Sequence, residues 1–394
     1  MAISLSSLRR KNRKQRNAAS ARSWAISLTL IAIGVWSFFT YLFDKTPDAV
    51  KTWFQTWLPP STLNESLVWV ICALGLNVVV GYAGLLDLGF VAFWAFGGYT
   101  AGWFMSGFFN QVTFHFGSMS PNKAPGLHLS FWLVMIIAAL IAGFFGIIIG
   151  APTLRLKSDY LALVTLGFGE IIPQVFTNGE NIGGFNLSNG TKGISPIDAI
   201  GVFGKRLGPF DLGWKFLIYF FLAACMVFVS LRIRSGRLGR AWLAIREDEL
   251  AASMMGVPLM RTKLTAYAVG AFSGGIGGAV YATHVNGIFA ERFNFSISII
   301  LLAMVVLGGM GNVWGVIIGA LIMAWINATG LPAIGDTFNN TFHTQINFPS
   351  YNFLLFGGIL VLMMLFKRDG ILPEARLKMI SHENDDEVSN TGGH

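Results

Sequence analysis

Residues 130–151, SFWLVMIIAALIAGFFGIIIGA, contain no charged side chain. As an α-helix such a run covers about 30 Å, the thickness of a bilayer's hydrocarbon core. Comparable apolar runs occupy 24–43, 63–80, 159–177, 214–231, 264–283 and 351–366. In hydrocarbon every backbone N–H and C=O must be satisfied internally, which leaves helices or closed barrels. A barrel would be written as alternating segments of about ten residues, not as continuous apolar blocks. The sequence therefore reads as an all-α polytopic membrane protein. Only 12% of its residues are charged and 54% are hydrophobic, whereas an ordinary soluble domain is about 25% charged.

Taken in order, the chain predicts a basic tail over 1–23, a membrane domain over 24–366, and a tail over 367–394 with an acidic run at 383–387. About ten crossings are expected (eight to ten), some broken or re-entrant. The run 24–43 is long for a signal-peptide core and reads as a retained first span. The block 296–330 is interrupted by LGGMGNVWG; it is too long for one span and short for two. It predicts two short spans meeting on the inside, or a re-entrant pair. The net charge of +8 is distributed as an orientation signal: twenty of the 28 Lys and Arg fall in the segments assigned inside. By the positive-inside rule both termini are expected to be cytoplasmic; the family resemblance given below implies a bacterial plasma (inner) membrane.

Glycines recur at four-residue spacing at Gly98 and Gly102, at Gly274 and Gly278, and at Gly311, Gly315 and Gly319. That pattern predicts close helix packing. The glycine-rich breaks at 81–102 and 307–319 could also be related elements of two halves. No phosphate-binding loop, H-E-x-x-H, G-x-S-x-G or C-x-x-C motif occurs, and the six histidines are scattered. No catalytic residue, metal site or bound cofactor is expected, and any ATP would be bound by a partner. Nucleic acid is not an expected partner. Ionisable groups inside spans are costly unless they face a polar path or a partner. Asn77, Asp87, Thr165 and Glu170 are therefore candidate path residues; the alternative is that the acids cap half-helices or lie near an interface.

The longest polar interruption on the inner side is 235–263. Residues 238–255 predict a helix, stopped by Gly256 and Pro258. Leu238, Ala241, Trp242, Ile245 and Ala252 form one stripe on a helical wheel; Leu243, Leu250 and Met254 form another. Arg246, Glu247, Asp248 and Glu249 interrupt both. Two stripes split by charge suit a helix with different neighbours on its two sides, or two short helices joined at the charged turn. A soluble partner explains this better than lipid, which would select one broad apolar face.

The run GRLGRAWLAIREDELAASMMGVPLMRTKLTAYAVGAFSGGIGGAVYA resembles the membrane subunits of ABC importers for branched-chain amino acids. So do GYAGLLDLGFVAFWAFGGYTAG, APTLRLKSDYLALVTLGFGEIIPQV and MVVLGGMGNVWGVIIGA. The resemblance covers most of 63–366 and is closest to the second of the two permease types. It implies a coupling region seated on an ATPase, carried by Arg240, Arg246, Glu247, Asp248, Glu249, Ala251, Ala252 and Gly256. The signature E-A-A-x-x-x-G is met at Ala251, Ala252 and Gly256, but Leu250 stands at its glutamate position and Glu249 lies one earlier. The resemblance further implies two ATP-binding subunits, a second related permease and an extracytoplasmic binding protein. Related permeases also serve urea and other small amides. A gradient-driven carrier or channel using Asp87 or Glu170 is the competing expectation.

Overall fold

The computed structural model describes residues 55–117, 125–156, 158–202, 204–208, 211–367 and 370–372. The expected tail over 1–23, the expected first span over 24–43, and all of the expected tail over 367–394 except 367 and 370–372 lie outside the described residues. Helix α1 (Pro60–Asn77) continues into a π-turn, Val78–Tyr82. Residues 83–89 are non-helical, and α2 (Phe90–Phe104) starts beyond them. Then come α3 (Phe131–Thr153), α4 (Ser158–Thr177) and α5 (Leu212–Ser235). Two short helices follow, α6 (Arg237–Glu247) and α7 (Glu249–Met254), and then the long α8 (Leu259–Val285). The chain continues through α9 (Phe295–Gly308), α10 (Val313–Trp325), α11 (Leu331–Phe342) and α12 (Asn352–Phe366).

Helix α8 is the hub. It packs on α3, α2 and α1, while α1 also receives α5 and α10, and α9 lies between α10 and α12. Its crossings are close because both sides lack side chains. A Cβ on Gly278 would stand 2.1 Å from the Trp94 carbonyl oxygen, and one on Gly97 2.2 Å from that of Gly275. Helices α9 and α10 meet in the same way: a Cβ on Gly319 would lie 2.3 Å from the Met304 carbonyl and one on Gly315 2.2 Å from that of Gly308. With no hydrophobic force between helices in lipid, such close backbone approach is a main source of packing energy.

Gly274 faces the Phe90 ring and the Phe93 Cβ, Gly98 faces Ile288 and Gly102 faces Ile288 and Ile194, so three of the predicted glycines receive side chains. Gly311 is not in a helix. It sits in the α9–α10 turn with φ +85°, which glycine adopts without strain. Its role differs from the packing expected of it because the helical pattern is interrupted at 309–312.

Seven helical segments among the described residues are long and apolar enough to cross a membrane. Helix α2 (15 residues) and helix α8 are additional to these seven yet lie in the same bundle. The block 296–330 forms two helices joined by a tight turn, an element common to both arrangements expected for it.

The exposed stripes of α3 (Ile136, Leu140, Phe144, Ile147), α5 (Phe221, Phe228, Val229) and α12 (Leu354, Val361, Leu365) are apolar. They match the hydrocarbon they would face. At the end of the bundle away from α6 and α7, β1 (Met105–Ser106), β3 (Gly126–Leu129) and β2 (Thr113–Phe116) form a sheet in that order. His128 in β3 pairs with Asp198 at 2.7 Å and stacks on His115. Among the described residues no group of three potential metal ligands forms.

Candidate functional site

The feature with most bearing on function is the α6–α7 pair. Gly236 enters α6 with extended backbone, and Asp248 ends it. The Asp248 carboxylate accepts from the N–H groups of Leu250 at 2.8 Å and Ala251 at 2.9 Å, so it caps α7. The charged turn thus joins two helices, the second of the arrangements expected for it. Trp242 and Ile245 are buried, and the Trp242 indole N–H donates to the Thr262 carbonyl at 2.8 Å. Ala252 is buried too. Of the predicted inner stripe, Leu238 is exposed. The opposite stripe ends in an apolar tip: Leu250 is 67% exposed, Met254 78% and Met255 85%.

The charges of this region hold the seat. The Arg246 guanidinium donates to the Gly81 carbonyl in the π-turn. Glu249 pairs with Lys263 at 2.5 Å, tying α7 to α8. The Arg240 guanidinium donates to the Ser235 carbonyl at 3.3 Å, and Glu247 and Ala251 are exposed. Gly256 has φ +82° with open space around it, a left-handed stop that lets the chain turn into α8.

The four candidate path residues do not come together on one surface. Asn77, Asp87 and Thr165 are fully buried. Asn77 Oδ1 accepts from the Gly311 N–H at 2.9 Å. Asp87 Oδ1 accepts from the Gly89 N–H at 2.9 Å and from the Tyr267 hydroxyl at 3.5 Å, at the start of α2. The Thr165 hydroxyl accepts from the Leu88 N–H at 3.1 Å, and the Ser298 hydroxyl from the Val91 N–H at 3.1 Å. These groups satisfy the backbone of a broken helix, as protein-buried irregular backbone in a membrane requires.

Glu170 stands apart. It is exposed on α4, and Gln174 and Asn178, four and eight residues on, are exposed with it. Spacing of four keeps Glu170 and Gln174 on one helix face, and Asn178 follows in the turn just past the end of α4. Leu163, Ile171 and Val175 are exposed on the same outer side, so α4 mixes polar with apolar groups where the exposed stripes of α3, α5 and α12 are apolar, and hydrocarbon would penalise the polar ones. Gln174 and Asn178 were missed in the sequence, although the four-residue spacing from Glu170 was there to be read.

Broken helices around a glycine-packed hub, with an exposed helix pair at one end, define a polytopic transport permease. The family model described as "Branched-chain amino acid transport system / permease component" matches residues 59–364, and the chain belongs to that family. It is 35% identical over 332 residues to the Escherichia coli high-affinity branched-chain amino acid transport system permease protein LivM, covering 79% of this chain and 69% of that protein. The probable branched-chain amino acid transport permease protein LivM of Methanocaldococcus jannaschii is 25% identical over 331 residues, 78% of this chain and 91% of that one. A nucleoside ABC transporter permease protein of Lactococcus lactis, NupC, is 27% identical over 216 residues, 51% of this chain and 59% of its own length. No solved structure matches.

Proposed function

We propose that this chain is the membrane permease subunit of an ATP-driven importer for branched-chain amino acids, working with two ATP-binding subunits, a second related permease and an extracytoplasmic binding protein. The observation that carries the proposal is the apolar tip Leu250, Met254 and Met255, held out of the bundle on a rigidly seated helix pair. Clustered exposed apolar side chains on a fixed support are the mark of a docking surface. Here the occupant is the ATP-binding subunit, on the cytoplasmic side. ATP-driven closure of those subunits displaces α6 and α7. The displacement passes to the π-turn through Arg246 and to α8 through Glu249 and Lys263.

The substrate crosses along the outer side of α4, where Glu170 and Gln174, with Asn178 just beyond the helix end, face the second permease instead of lipid. That assignment keeps Glu170 in the path. It gives Asn77, Asp87 and Thr165 the work of holding broken helices open to motion. Substrate identity rests on the relatives' names, and the binding protein would select it first. The test is affinity capture of the tagged chain from solubilised bacterial membranes. Recovery of two ATP-binding proteins and a second permease supports the proposal. Recovery of the chain alone, from membranes in which those proteins are present, would overturn it.

A further inference from the structure

Three irregular backbone segments meet at the end of the bundle that carries α6 and α7. They are the π-turn Val78–Tyr82, the α9–α10 turn at 309–312, and residues 370–372 beyond α12. From one side Asn77, fully buried just before the π-turn, accepts the Gly311 N–H at 2.9 Å. Approach here is so close that a Cβ on Gly81 would stand 2.6 Å from the Gly311 nitrogen. The Gly81 carbonyl in turn accepts from Arg246 on α6.

From the other side the N–H groups of Ile371 and Leu372 donate to the carbonyls of Leu307 at 2.9 Å and Gly308 at 3.1 Å. These are acceptors of the kind a helix C-terminus leaves open. Asn312 works both ways. Its Oδ1 accepts from the Trp314 N–H at 3.1 Å, capping α10, while its Nδ2 donates to the Leu372 carbonyl at 2.9 Å. Gly370 has φ +77°, and a Cβ on it would stand 2.4 Å from the Gly309 Cα.

Asn77 is a costly residue for packing alone. Its Nδ2 is buried with no hydrogen-bond partner among the described residues, and a buried unsatisfied donor is destabilising where an apolar side chain would not be. Its one bond goes to the turn between two spans, and the next break along α1 receives the coupling helix. Coupling between sites is carried by such contiguous contacts when they join elements that move as units.

We propose that Asn77, Asn312 and residues 370–372 are positioning elements of the transport cycle: they clamp the α9–α10 turn to the π-turn that receives Arg246, so that a push on the coupling helices moves both broken spans together. The proposal rests on the permease reading above.

The test uses the whole transporter in proteoliposomes. It compares N77L, which removes the acceptor for Gly311, with N77D, which keeps it. It also compares N312D, which keeps the cap on Trp314 but removes the donor to Leu372, with G370A, which displaces the last segment. Assembly, thermal unfolding, ATP hydrolysis with and without loaded binding protein, and uptake per ATP are measured together. Uptake per ATP falls at least ~5-fold in N77L, N312D and G370A, the low end of the range for coupled sites. Assembly and stimulated hydrolysis persist, and N77D recovers uptake. If N77L fails to assemble, N312D and G370A decide. Wild-type uptake per ATP in N312D and G370A overturns the proposal, as does a loss of uptake that only follows lost assembly or stability. Absence of ATP-dependent uptake by the wild-type complex would instead refute the permease reading.

Discussion

Truncating the apolar tip separates docking from folding. Leu250 and Met254 are 67% and 78% exposed, so the double variant L250A/M254A changes the chain's own stability by no more than about 0.5 kcal/mol. On docking, full burial of a Leu or Met side chain is worth roughly 1.5–3 kcal/mol. Taking the low end for each residue gives a loss of about 3 kcal/mol, or roughly two decades in affinity at 1.4 kcal/mol per decade. The assay is titration of the purified ATP-binding subunit onto the solubilised permease pair, with thermal unfolding of the variant as a control. A hundredfold weaker complex at unchanged unfolding temperature is the expected result. Affinity within twofold of wild type would refute the argument that this tip is the docking surface.

Substituting Trp242 by Phe keeps the ring but removes the indole donor to the Thr262 carbonyl; it should cost roughly 1–3 kcal/mol, read as a lower thermal unfolding temperature. Asp248→Ala removes the cap of α7, at about 1 kcal/mol, and should weaken ATPase capture without lowering the yield of folded chain. Gly278→Val drives a side chain into the Trp94 carbonyl and should abolish recovery of folded protein, whereas Gly358→Ala, with open space around it, should be silent in the same solubility and unfolding assays.

The long apolar blocks, the break inside 296–330 and the two-sided coupling segment were legible in the sequence because each is a local signal: run length, glycine interruption, helical period. The glycine partners were legible only in part. Gly274, Gly278, Gly315 and Gly319 stand in regular spacing, but Gly97, Gly275 and Gly308, which receive opposing backbone, fall outside it. Which glycines meet depends on how two helices cross. For the acids, the sequence could rank Asp87 and Glu170 as costly in a span but not say which way each points. Asp87 turns in to the Gly89 N–H and the Tyr267 hydroxyl, and Glu170 turns out beside Gln174 and Asn178. The coupling charges were visible as a cluster, yet their partners Gly81 and Lys263 come from other helices. No local pattern names such partners.

The proposed function requires that this chain move substrate only when driven by ATP-binding subunits docked on α6 and α7. Its most direct test is uptake of labelled leucine into proteoliposomes holding either the chain alone or the chain with its second permease, ATP-binding subunits and binding protein. Uptake is expected only in the complete assembly and only with ATP, with no change on imposing or collapsing an ion gradient. Uptake by the chain alone, driven by a gradient, would contradict it.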